Sequence, residues 1–117
     1  MKPYYKTSGG KVVELEQKDV LYIWSEDIVE LVLPDDCKKV WCSNNQLKDL
    51  IIPDGCKDVS CEYNQLKNLI IPDGCEIVYC RNNQLKKLIM PDGCECFMCD
   101  MKSVTELNKV NELYLLI

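Results

Sequence analysis

A chain of 117 residues has room for one small domain, and a content of 47% hydrophobic and 28% charged residues is that of a globular protein, which argues against disorder and against a membrane-spanning chain. Nineteen acidic residues against fourteen basic ones give a formal net charge of -5, so the chain as a whole repels nucleic-acid phosphates. Histidine is absent, which removes the usual general base and the commonest metal ligand together.

The N-terminal residues Met1 to Gly10 contain no apolar signal-peptide core. With nine cysteines, an odd number, the chain is expected in a reducing compartment, the cytoplasm, with its thiols free. No stretch approaches the ~18 consecutive apolar residues of a membrane helix, so no membrane partner is expected. Within residues 1–17, Tyr4-Tyr5-Lys6-Thr7 and Lys11-Val12-Val13 are strand-like runs around Gly9-Gly10, which predicts a capping hairpin.

From residue 18 the chain repeats with a period of 19. Cys37, Cys56, Cys75 and Cys94 keep that step, as do Cys42, Cys61, Cys80 and Cys99, and Pro34, Pro53, Pro72 and Pro91. Residues 37–55 and 56–74 are identical at fourteen of nineteen positions. Counted from its first cysteine, each unit is apolar at positions 1, 4, 6, 11, 14 and 16. The alternation at 4 and 6 is a strand period, and the closing Pro-Asp-Gly is turn chemistry. Degenerate units flank the clear ones, giving five units over 18–112, with Leu113 and Leu116 beginning a sixth that is cut short.

The pattern Cys37-x-x-Val40-x-Cys42-x-x-Asn45-x-Leu47, repeated from Cys56 to Leu66 and from Cys75 to Leu85, resembles the leucine-rich repeat motif. The short unit and the Leu-Ile-Ile-Pro segment are similar to the bacterial class of that family, with cysteine replacing leucine at positions 1 and 6. Glu26 and Lys102 stand at the asparagine position in the outer units. The resemblance implies a repeat solenoid, a leucine-rich-repeat arc with a parallel concave β-sheet and an irregular, turn-rich convex side. It also implies binding of a protein or peptide, and fits a housekeeping adaptor, a viral product or an effector that a pathogen delivers into a host cell.

Strands are expected near 20–24, 39–43, 58–62, 77–81 and 96–100, one per unit, stacked in parallel. Asn45, Asn64 and Asn83 leave the strand at the bend, where their amides can satisfy backbone groups of the neighbouring unit. The two cysteine columns point inward as small hydrophobes. Cys96, off both columns, makes Cys94-x-Cys96-x-x-Cys99, but a strand period turns its side chain away from the other two, so no metal site is expected. Lys48, Lys67 and Lys86 form a solvated column.

Positions 3, 5, 7 and 8 face outward from the sheet, and their occupants are the candidate partner-binding residues: Tyr22, Trp24, Trp41, Tyr63, Tyr79, Arg81, Met98 and Met101. Aromatic side chains bury much area with few rotors, which suits an interface. Lys39, Asp58, Glu62 and Asp100 complete a mixed-charge rim. Ser103-Val-Thr-Glu106 has the form of a capping box, which predicts a short helix. Leu113-Tyr-Leu-Leu-Ile117 reads as a terminal edge strand and predicts a homodimer through residues 113–117. No catalytic residue and no cofactor are expected, because the carboxylates do not recur as an inward pair and no Gly-rich phosphate loop occurs. The alternative class is a cysteine-rich protein that binds metal or responds to oxidants.

Overall fold

The computed structural model describes residues 2–23, 27–94, 96–98, 104 and 106–108, with 96–98 and 106–108 described by backbone. In chain order the strands are β1 (Tyr4–Thr7), β2 (Val12–Glu14), β3 (Val20–Tyr22), β4 (Ile28–Val32), β5 (Lys39–Trp41), β6 (Asp58–Ser60), β7 (Asn68–Ile70), β8 (Ile77–Tyr79), β9 (Lys87–Ile89), β10 (Cys96–Met98) and β11 (Glu106–Asn108). They build a β-solenoid of stacked coils, each coil or rung being one repeat.

The front sheet has the order β10-β8-β6-β5-β3 and is parallel throughout. Its register follows the repeat: Lys39 stands opposite Asp58, Asp58 opposite Ile77, and Ile77 opposite Cys96. A one-residue slip would turn the valines Val40, Val59 and Val78 out of the core and bring lysine and aspartate in, so burial fixes this register.

The return side, expected to be irregular, carries a second parallel sheet of order β11-β9-β7. The reason lies in the Leu-Ile-Ile segment, where Leu69 and Leu88 alternate with outward neighbours and point into the core, while the backbones pair rung to rung. Glu106 does not open a helix. It starts β11, opposite Lys87, because the ladder with β9 satisfies its backbone. No helix occurs among the described residues.

Between the two sheets lies one continuous core of Cys37, Val40, Cys42, Leu47, Leu50 and Ile52 with their equivalents in the next rungs. The rungs turn at Pro-Asp-Gly. Pro53 O accepts from Cys56 N and Pro72 O from Cys75 N, with Gly55 and Gly74 at φ of 89° and 84°, the geometry of a type II turn. In the first unit Asp36 replaces the glycine, and the Cys37 N to Pro34 O bond closes the turn without a positive φ.

At the N-terminal end β1 pairs antiparallel with β2 and with β4. The return strand of the first rung is thereby drawn into a three-stranded sheet of its own, β2-β1-β4. Tyr5 and Leu15 pack against the core beneath it, and Tyr4 donates to Glu30 at 2.6 Å. The expected terminal strand at 113–117 lies outside the described residues.

Candidate functional site

The front sheet sets the site. Its strands alternate between core and surface, so Lys39 and Trp41 of β5, Asp58 and Ser60 of β6 and Tyr22 of β3 stand on the outer face at fixed spacing. Tyr22 and Trp41 meet edge to face, their centroids 5.1 Å apart at 68°. The Lys39 ammonium lies 4.3 Å from the Trp41 ring centroid and 5.9 Å from that of Tyr22. Asp58 holds the group from the next strand: one oxygen accepts from Trp41 Nε1 at 3.3 Å and the other lies 3.6 Å from Lys39 Nζ. Tyr22 remains 53% exposed, Tyr63 52% and Trp41 37%, so the assembly is ordered and open to solvent at once.

Beyond β6 the charges are again paired. Arg81 Nε donates to Glu62 at 2.8 Å, and the Ser43 and Ser60 hydroxyls share a 2.9 Å hydrogen bond. Tyr79 lies on β8, two strands from Trp41 across Ser60, and is half-buried. Met98 is opposite it in the β10 register. Trp24, Met101 and Asp100 lie outside the described residues, as does the side chain of Cys96.

Tyr63 has φ of 57°, in the left-handed region. The same repeat position holds Asn44 at 60° and Asn82 at 58°. Asparagine tolerates this conformation and a bulky side chain does not, so Tyr63 carries backbone strain that its neighbours avoid. Sequence reasoning placed Tyr63 on the surface and missed the strain; the signal was the asparagine at this position in two of three central units.

The asparagine ladder is built from four contacts per residue. Asn64 Nδ2 reaches Cys42 O and Cys61 O at 3.1 Å and Glu62 O at 3.3 Å, and Asn64 Oδ1 accepts from Leu47 N at 3.0 Å. Asn45 and Asn83 repeat the pattern, Asn45 reaching Ile23 and Cys42 carbonyls and Asn83 those of Cys61 and Cys80. Each side chain ties one rung to the next at the bend.

The cysteines of the first column have a role that leucine could not fill. Cys37 Sγ donates to Lys39 O at 3.3 Å, Cys56 Sγ to Asp58 O at 3.7 Å and Cys75 Sγ to Ile77 O at 3.6 Å. Burial, then the neighbouring Cys56, pushes the Cys42 thiol up to about 12, and burial with Cys94 and Cys56 pushes Cys75 up to about 12. Burial also raises Cys61. Cys37 shares a hydrogen bond with Cys56, which raises Cys37 and lowers Cys56. Cys37, Cys42, Cys56, Cys61, Cys75 and Cys94 are free and buried. Cys80 is disulfide-bonded, a departure from the expectation of free thiols, and Cys99 lies outside the described residues.

Among the described residues no group of three or more Cys, Asp or Glu side chains is placed to hold a metal ion, and no helix is long and apolar enough to cross a membrane. No family model, curated protein or solved structure matches the chain.

Proposed function

We propose that the chain is a protein-interaction module of the leucine-rich-repeat type that receives a protein or peptide partner on the outer face of its front sheet and performs no catalysis. The observation that carries this reading is the solvent-open Tyr22–Trp41 pair held by Lys39 and Asp58 on a rigid sheet. Holding aromatics in place before binding lowers the entropy lost on association. The charges around them are already paired, so the partner surface is apolar or neutral at its centre and polar at its rim. Tyr79 and Arg81 extend the same face, and the repeat phase adds Trp24, Met98 and Met101. A cytoplasmic location and a homodimer through residues 113–117 belong to the same reading.

Proteins captured on the immobilised chain are identified and re-bound to Trp41→Ala and Tyr22→Ala variants with unchanged circular dichroism. Loss of about tenfold or more in affinity for a captured partner is expected, because aromatic interface residues carry about 2 kcal/mol or more. Unchanged affinity in both variants removes the front face from the proposal.

One observation favours a second reading, a response to oxidants: Cys80 is disulfide-bonded. A mass spectrum of the native protein before and after peroxide distinguishes them, since a thiol sensor loses hydrogens in pairs at low oxidant and a purely structural column does not.

A further inference from the structure

We propose that the return side carries a second docking groove, between β4 and residues 48–53, which receives an extended apolar peptide by strand addition. Rungs one and two start their return side by side: Gln46 N donates to Ile28 O, as Gln65 N does to Leu47 O and Gln84 N to Leu66 O in the later rungs. After that bond the first two rungs part. Later in the solenoid Lys86 N and Lys87 N reach Lys67 O, and β7 pairs with β9. Among the described residues, the backbone of 48–52 makes no corresponding bond to β4 or to β7, and the one ladder that β4 forms is with β1. The gap is a cavity of about 620 Å³ with Val29, Leu31, Leu33, Leu50, Ile51 and Pro53 in its lining, and Ile51 is 84% exposed. That volume is within the range of peptide and ligand sites.

The occupant follows from the chemistry of the walls. Asp49-Leu50-Ile51-Ile52 differs at one position from Asn68-Leu69-Ile70-Ile71, which contains strand β7, so 48–52 is strand-forming sequence with unmet donors and acceptors. A second extended backbone supplies acceptors and donors at the matching ~3.3 Å residue spacing, and the apolar lining selects apolar side chains on its inner face. Charges in the lining are mixed, Lys6 and Lys48 with Glu30, Asp35 and Asp49, which disfavours a strongly charged ligand. The sequence already seen to pair on this side is that around β7, so the probe is an acetylated Leu-Lys-Asn-Leu-Ile-Ile-Pro peptide, the sequence of residues 66–72.

The peptide is titrated against the full chain with amide hydrogen exchange read by residue. Saturable binding is expected, with exchange at 49–51 slowed about tenfold or more and exchange at 39–41 unchanged. Two N-methylated peptides, each lacking the donors of one edge, separate strand pairing from apolar capture: at least one binds about tenfold more weakly. Ile51→Asp, a change at an exposed position that leaves the fold intact, weakens the parent peptide as well. The proposal is overturned if the parent peptide does not bind, if both methylated peptides bind as well as the parent, or if protection falls elsewhere. It is also overturned if 48–52 are already as protected as 87–89 without peptide. A concentration-dependent dimer that protects 48–52 assigns the groove to a second copy and overturns it likewise.

Discussion

Asn64 shows how much one side chain decides at the scale of the residue. Its amide serves Cys42 O, Cys61 O and Glu62 O and accepts from Leu47 N. Asn64→Ala strands several of these groups in the interior, and each orphaned buried group costs about 1–3 kcal/mol. We expect a loss of about 3 kcal/mol or more, read as a lower urea midpoint with unchanged slope. Tyr63→Asn acts in the opposite sense: asparagine accepts the left-handed backbone that tyrosine holds at φ 57°, so a gain of about 0.5–1 kcal/mol in denaturant unfolding is expected. A variant that is more stable and binds the front-face partner less well would mark Tyr63 as strained for function. The ladder asparagines were legible from spacing alone. The strain at Tyr63 was not, because a single tyrosine in a strand-rich repeat reads as surface until its φ is known.

At the scale of the element, the front strands were legible in the sequence because Val40, Val59 and Val78 alternate with polar and aromatic neighbours inside a fixed period. The return strands were not, since Leu-Ile-Ile-Pro carries its strand signal over only three residues before proline ends it. The Lys39–Trp41–Asp58 group was half legible: one strand gives the i, i+2 pair, while Asp58 enters through a register that depends on stacking. The turns test the register directly. Gly74 has φ of 84°, and a Cβ there would lie 3.3 Å from Lys57 Nζ, a side chain that donates to Gly74 O. Gly74→Ala is therefore expected to destabilise by about 1–2 kcal/mol in thermal unfolding, the larger part from backbone conformation. An effect near zero would show that the turn adopts another type in solution.

For the whole molecule, the thiol core makes stability depend on alkaline pH. Cys42 and Cys75 are each pushed up to about 12 and Cys61 is raised, chiefly by burial, while an unfolded thiol ionises near its ordinary value of 9.0. Below that value the thiols are neutral in both states and their contribution is fully present. From about pH 9 to about pH 12 the unfolded chain gives up protons that the folded chain keeps, so stability falls as pH rises. For Cys42, buried completely, the slope is about 1.4 kcal/mol per pH unit. Urea midpoints between pH 7 and 11 should hold level to about 9 and then drop. A level line to 11 would mean that these thiols are not sealed in the core.

The matched registers of β5, β6 and β8 have a consequence for how such a chain can change length. Rungs two, three and four repeat one strand register at a constant step, so the stack behaves locally as a one-dimensional lattice with a 19-residue cell. Excising residues 56–74 joins Gly55 to Cys75, restores a Pro-Asp-Gly-Cys junction and leaves Asn45 and Asn83 to reach across the two steps that join rungs one, two and four. The excision would also bring Tyr79 beside Trp41, where Ser60 now stands between them. Adding or removing a cell is thus a quantised edit that keeps the lattice and resets the spacing of the aromatic row by one strand, ~4.8 Å at a time.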